Sequence, residues 1–206
     1  MNTNDALVVF SGGVDSAVCL SIAKEKHPRV VALSFDYGQT HDIELEYAVS
    51  YCKNLSIEHI IHKINFDNIA SPLNKAEKKL TRTENVSKMY VPGRNTCFIS
   101  FAAAFAESMN IPTIYIGPNK DDYAFPDCSI VFVEAWNNLL NTQTHLKPQL
   151  KILAPLITLK KADIFKLAYQ YNIAIDKTWS CYYPQGKTPC QLCDACLIRK
   201  KATKTI

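Results

Sequence analysis

The 206-residue chain is bounded first by what it lacks. Its N-terminus has no basic stretch followed by an apolar one, so no secretory signal is expected. No apolar run approaches the ~20 residues that a membrane span needs. There is no block of like charges of the kind that forms a disordered tail. The net charge of +4 is too mild to argue for nucleic acid. Internal repeats and low-complexity segments are also missing. No Gly-Lys-Ser/Thr follows a glycine-rich turn, which excludes a Walker A loop. The expectation is a cytoplasmic protein with no nucleic-acid or membrane partner, long enough for one α/β domain plus an appendage.

The apolar patterning is α/β. Short apolar runs at Ala6–Phe10, Val30–Phe35, Ile57–Ile64, Thr113–Gly117 and Ile152–Leu156 read as strands. Helical patterns alternate with them: one following Val14, then Glu44–Leu55, Arg94–Met109, Asp127–Asn141 with Val131, Ala135 and Leu139 on one face, and a last one with Thr158 as N-cap and a stripe of Ile164, Leu167, Ala168 and Tyr171. Such alternation predicts a doubly wound, five-stranded parallel sheet with helices on both faces. His59 and His62 lack metal-like spacing and are taken as ordinary polar positions. The stretch from Asn65 to Gly93 shows no long apolar period and carries a charged run, Lys75 to Lys79. It is expected to be a lid or binding loop.

Between the first strand and the first helix lies Ser11-Gly12-Gly13-Val14-Asp15-Ser16. A strand, a Ser/Gly turn and a helix N-terminus make an anion site. The glycines let backbone N–H groups approach a phosphate, and the helix dipole adds to the attraction. The hydroxyls of Ser11 and Ser16 supply further donors. The alternative is an ordinary tight turn in which Asp15 or Ser16 caps the helix. Ligands of such sheets bind beyond the carboxyl ends of the strands, where this turn falls.

Eight cysteines divide into two groups. Cys19, Cys52, Cys97 and Cys128 are scattered, and the first three sit in helical apolar patterns, where a buried thiol is the default. Cys181, Cys190, Cys193 and Cys196 crowd together with eight, two and two residues between them. Four thiolates at such spacing suit a closed, tetrahedral and therefore structural Zn²⁺ site. An iron–sulfur cluster also takes four thiolates and is the competing assignment. A disulfide pair is disfavoured in a reducing compartment. The expected division is an ATP-binding domain over residues 1–175 and a zinc-binding segment over 176–206.

The first of these motifs resembles the pyrophosphate-binding (PP) loop of the N-type ATP pyrophosphatases, whose fold is that of the adenine nucleotide alpha hydrolases. Four further stretches narrow the resemblance. They are Ser34-Phe35-Asp36-Tyr37-Gly38-Gln39 with Glu44 and Ala48, Val91-Pro92-Gly93-Arg94-Asn95, Gly117-Pro118-Asn119-Lys120-Asp121-Asp122-Tyr123 leading into Pro126-Asp127-Cys128, and Thr178-Trp179-Ser180-Cys181-Tyr182 with the cysteines, Asp194 and Arg199. Spread over nearly the whole chain, these are similar to the 7-cyano-7-deazaguanine synthases of queuosine-precursor biosynthesis. The chain departs from the family pattern at Thr40, Ala124-Phe125, Ser129 and Gln191, the last standing where the family usually has glycine between two ligands.

The resemblance implies an ATP-dependent carbon–nitrogen ligase that converts 7-carboxy-7-deazaguanine and ammonia to the nitrile through adenylated carboxylate and amide intermediates. It also implies a homodimer. On that basis Phe10, Ser11, Gly12, Gly13, Val14, Asp15 and Ser16 hold the nucleotide. Ser11, Asp15 and Ser16 count among the catalytic residues, with Asp15 shaping the turn or placing Mg²⁺. Leu33, at the end of the second strand, meets adenine through its backbone. Lys161 contacts a phosphate or is a solvated helix charge. Arg94 clamps a carboxylate or phosphate, with Asn95 beside it. Asp122 or Asp127 accepts from the guanine-like edge, or is a surface turn aspartate. Rival functions are a tRNA-thiolating or lysidine-forming relative, a paralogue acting on a related deazapurine, and a zinc-stabilised nucleotide sensor.

Overall fold

The computed structural model describes residues 4–39, 42–66, 69 and 89–203. Thr40, the run Lys75–Lys79 and most of the Asn65–Gly93 connection lie outside the described residues. The strands are β1 (Ala6–Val9), β2 (Val30–Asp36), β3 (Glu58–Lys63), β4 (Thr113–Tyr115) and β5 (Lys151–Leu153). The α-helices are α1 (Val14–Lys26), α2 (Ile43–Asn54), α3 (Arg94–Ser108), α4 (Ile130–Gln143), α5 (Lys161–Gln170) and α6 (Asp194–Thr203). All pairings are parallel and the order is β3-β2-β1-β4-β5. The chain therefore leaves β1 toward one edge and later returns to its other side at β4.

The central strands are buried at nearly every position, Ser34 and Thr113 included, because both faces are covered. Ala6, Val8 and Phe10 point into one core with Val18 of α1, Phe165 of α5 and Ala202 of α6, while Leu7, Leu33 and Ile114 point into the other with Ile99 of α3 and Leu140 of α4. Each fully buried Leu, Ile or Phe side chain contributes roughly 1.5–3 kcal/mol of transfer free energy. The alternation thus fixes the register of the sheet and so where each strand ends.

Three local expectations are corrected. The pattern read as one helix from Asp127 is a 3-10 turn, Pro126–Cys128, followed by α4. Ser129 is extended, and its hydroxyl accepts from Phe132 N at 3.2 Å, capping α4 and ending the turn. The buried face of α4 carries Val133 and Leu140, whereas Val131 and Leu139 are exposed. β5 stops at Leu153, and Thr158 caps nothing. The helix after it starts at Lys161, where the side chain of Lys160 makes no cap bond. The cap comes instead from a distant turn, Asp121 Oδ2 accepting from Lys161 N at 2.7 Å.

Candidate active site and metal centre

Gly12 sits at φ +86°, and a Cβ there would meet Glu44 O at 2.6 Å and Ala48 N at 3.0 Å. The loop therefore lies directly on the backbone of α2, and only glycine fits. Ser16 Oγ donates to Gly13 O at 3.0 Å, Ser11 N donates to Ser16 Oγ at 3.3 Å, and Gly13 N donates to Ser11 Oγ at 3.3 Å. The two serines thus shape the turn from inside. Gly13 is the N-cap of α1 and no side chain caps this helix. Neither Asp15 nor Ser16 plays the ordinary capping role. The first-turn amides and the positive end of the dipole have no side-chain cap, an arrangement able to take an anion.

The site opens beyond the carboxyl ends of the neighbouring strands β1 and β4, as a cavity of about 280 Å³. Phe10, Ser11, Asp15 and Ser16 border it on the loop side, and Arg94, Asn95, Asp122 and Asp127 border it opposite. Lys161 reaches its rim by donating to Asp15 Oδ2. Asp15 Oδ1 is buried with no partner. Leu33 is not at a strand end, since β2 continues to Asp36; it is fully buried and its carbonyl accepts from Phe10 N at 2.8 Å. Gly12, Gly13 and Val14 stand behind the wall and do not border the cavity.

Arg94 is the first residue of α3, aimed inward because Gly93 takes a left-handed turn at φ +68°. One of its terminal nitrogens donates to Tyr37 Oη at 3.3 Å, and the guanidinium stands 5.8 Å from the centroid of the Tyr37 ring. Its Nε is buried and unpartnered. A half-buried guanidinium that lines a cavity and keeps a buried, unpartnered donor has the chemistry to take an oxyanion.

The neighbouring acids are held differently. Asp122 Oδ2 accepts from Asn119 N at 2.9 Å and Asn119 Nδ2 at 2.7 Å. Burial pushes its carboxyl up to about 6, against the pull of the Asn119 amide and Lys161. Burial also raises Asp127, opposed by the Asn95 N–H that donates to its Oδ2 at 3.2 Å. Asn95 Nδ2 donates to Asp127 O at 3.1 Å and Cys128 Sγ at 3.3 Å. Asn95 therefore fixes the Pro126–Cys128 turn to α3.

Sequence reasoning assigned no role to several wall residues. Phe35 and Phe98 stack with centroids 4.2 Å apart, and Glu44, Tyr37 and Tyr182 border the same cavity. Burial pushes the Tyr182 hydroxyl up to about 12. Buried Gln39 organises the Tyr37 turn, accepting from Tyr37 N at 2.9 Å and donating to Glu44 Oε1 at 3.3 Å. The advance signal for Phe35, Tyr37, Gln39, Glu44 and Tyr182 was their place in the motifs that carry the family resemblance, and Phe98 had only its place in an apolar helix.

The sulfurs of Cys181, Cys190, Cys193 and Cys196 all lie within 4.8 Å of one another, and Cys190 and Cys196 are 4.0 Å apart. Bonds of about 2.3 Å to one tetrahedral ion place thiolates ~3.8 Å apart. A cubane, which spreads its four thiolates over separate irons, needs a wider set. Cys190 N donates to Cys181 Sγ at 3.2 Å and Cys193 N donates to Cys190 Sγ at 3.4 Å. Donation from Leu192 and Cys193 pulls the Cys190 thiol down to about 6, whereas burial pushes the Cys181 and Cys196 thiols up. The set fits one metal ion. The turn between Cys190 and Cys193 needs a left-handed residue, and Gln191 supplies it at φ +60°. That requirement explains the glycine usual at this position.

The metal segment is also a wall of the cavity. Trp179 N donates to Gly12 O at 2.9 Å, and Trp179 Nε1 donates to Cys181 O at 2.9 Å. Arg199 of α6 donates to Ser180 Oγ at 2.9 Å and to Ile175 O.

Comparison with known proteins fits this geometry. The family described as "Queuosine biosynthesis protein QueC" matches residues 5–206. The chain belongs to the QueC family. The 7-cyano-7-deazaguanine synthase of Leptospira interrogans is 40% identical over 209 residues, covering 97% of this chain and 86% of that one. The enzyme of the same name from Clostridium botulinum is 39% identical over 210 residues, covering 98% and 95%. Among solved structures, the U34-tRNA thiolase NcsA from Methanococcus maripaludis with its [4Fe-4S] cluster superposes at a TM-score of 0.54 with 21% identity, over 100% of this chain and 66% of that one. That likeness shows a shared fold. The QueC chain described here is thus an enzyme of queuosine biosynthesis. Among the described residues no helix is long and apolar enough to cross a membrane.

Proposed function

We propose that this enzyme makes 7-cyano-7-deazaguanine from 7-carboxy-7-deazaguanine, ammonia and ATP. The observation that carries the reading is the shared cavity. It joins Ser11, Asp15 and Ser16, beside an uncapped helix N-terminus fit for phosphates, to the half-buried Arg94 with its unpartnered Nε, fit for a carboxylate. A carboxylate is a poor electrophile, and adenylation converts one of its oxygens into a leaving group. The carboxylate oxygen attacks the α-phosphorus of ATP and pyrophosphate leaves. Ammonia displaces AMP to give the amide. The amide oxygen is adenylated by a second ATP, and loss of AMP and a proton leaves the nitrile.

Ser11 and Ser16 hold the loop around the departing pyrophosphate, and Lys161 neutralises charge on the phosphates once it leaves Asp15. The unpartnered Asp15 Oδ1 suits the Mg²⁺ that accompanies ATP, which supplies Lewis-acid charge neutralisation when bound. Arg94 orients the carboxylate, with the Phe35, Tyr37 and Phe98 rings beside the heterocycle. Asp127, turned in by Asn95, accepts from the guanine-like edge, and Asp122 lies nearer the phosphates, in the field of Asp15 and Lys161. The four cysteines hold structural Zn²⁺. Mass spectrometry after incubation with 7-carboxy-7-deazaguanine, ammonium and Mg-ATP tests the reading. The nitrile is expected. AMP formation that appears only when tRNA is added would instead assign the site to tRNA modification.

A further inference from the structure

Trp179 links two centres that are remote in sequence. Its indole N–H is bound by the carbonyl of Cys181, one of the four thiol residues, while its backbone N–H holds the carbonyl of Gly12 in the glycine turn. The side chain is only 5% exposed and packs on Tyr47 of α2 with centroids 5.1 Å apart. Ile43, Trp179, Cys181 and Cys196 form one buried cluster, with Cys190 and Cys193 packed against it.

The Gly12 carbonyl is a sensitive place to hold. Glycine at φ +86° has a peptide plane free to rotate, and that plane carries both Gly12 O and Gly13 N. With Gly12 O bonded outward to Trp179, Gly13 N points inward toward Ser11 Oγ. Rotation of the same plane would break the Gly13 N bond to Ser11 Oγ and loosen the turn that sets Ser11 and Ser16 at the cavity wall. The Trp179 N–H therefore holds the peptide orientation on which that turn depends. Its own position depends on where Cys181 O sits, which ligation of the adjacent sulfur fixes.

We infer that Trp179 is a positioning residue that makes the phosphate-binding form of the Ser11–Ser16 loop depend on a filled four-cysteine centre. The inference rests on the reading of the loop as the ATP site. Metal loss then weakens nucleotide binding as well as the Tyr182 wall of the substrate cavity. The coupling runs through a hydrogen-bonded chain of three residues, with no contact between metal and nucleotide.

The test compares full-length wild type, chelator-stripped wild type and Trp179→Phe. Phenylalanine keeps the backbone N–H and the packing on Tyr47 but loses the bond to Cys181 O. Trp179→Phe is expected to retain one metal ion per chain and to bind 7-carboxy-7-deazaguanine as wild type does. Its dissociation constant for ATP should rise about five- to tenfold, the usual consequence of one lost buried hydrogen bond. Amide hydrogen exchange should accelerate at residues 11–16 but not in β3, and stripped wild type should show a larger effect of both kinds. Unchanged exchange and unchanged ATP affinity in both proteins would overturn the inference. Should wild type bind no ATP while exchange at residues 11–16 still accelerates on metal removal, the coupling stands and the nucleotide reading fails.

Discussion

Lys161, at the start of α5, donates to Asp15 in the first turn of α1, closing the loop side of the cavity with an ion pair whose side chains are 24% and 23% exposed. Because Asp15 Oδ1 is already unpartnered, Lys161→Ala leaves a half-buried carboxylate with no countercharge. Pyrophosphate release should fall about 10²–10³-fold, the range for losing one donor to developing negative charge. Stability should fall by only about 1 kcal/mol, between the limits for exposed and buried pairs. Turnover within twofold of wild type at saturating ATP would remove Lys161 from the phosphate chemistry.

The two left-handed glycines of the site should respond differently to alanine. At Gly12 a Cβ would lie 2.6 Å from a backbone oxygen, whereas at Gly93 nothing stands within 4 Å. Gly93→Ala therefore meets only the left-handed backbone penalty of about 1–2 kcal/mol. Gly12→Ala adds a clash that must move α2 or the loop, so its loss should exceed that of Gly93→Ala by at least ~1 kcal/mol, and ATP binding should be lost with it. Denaturant titration of the two variants side by side, with equal losses, would contradict the packing of loop on helix.

Asp122 gives a pH dependence with a definite sign. Its folded-state pKa of about 6 is above its unfolded value, so its stabilising contribution is present below about pH 4 and is lost as pH rises through 6. The native state is accordingly penalised at neutral pH. Asp122→Asn, whose side-chain oxygen can keep the Asn119 bonds, should be more stable than wild type at pH 7.5 by on the order of 1 kcal/mol, discounted for partial exposure. Thermal melts should show this difference growing between pH 4 and 6 and vanishing below 4. A gap independent of pH would show that the carboxyl is not strained by burial.

Gln191 occupies a left-handed position that glycine adopts freely. Gln191→Gly should tighten the four-cysteine centre by about 1 kcal/mol, slowing metal loss to a competing chelator roughly fivefold. Faster loss would mean that the Gln191 side chain supports the centre in a way its backbone angle does not reveal.

The alternation of strands and helices was legible because burial on both sheet faces demands unbroken apolar strands, and the glycine turn and cysteine spacing because anion and metal binding constrain local sequence. Capping across the fold was not legible. Thr158 has the right side chain for an N-cap, but Asp121 reaches the start of α5 first from a turn far upstream. The register of α4 was misread for a similar reason: Ser129 sets the helix start and rotates Val131 and Leu139 outward. Ser11, Asp15, Arg94 and Asp127 border one cavity, whereas Leu33 is committed to the sheet ladder. The bond from Trp179 to Gly12 joins the two ends of the chain and leaves no trace in local pattern.

The most direct test of the account follows the oxygens of the substrate. With both carboxylate oxygens of 7-carboxy-7-deazaguanine labelled as ¹⁸O, the account predicts two AMP molecules per nitrile, each carrying one ¹⁸O in its phosphate. A single labelled AMP per nitrile, with the second ¹⁸O recovered in water or inorganic phosphate, would contradict activation of both carboxylate and amide by adenylation in this one cavity.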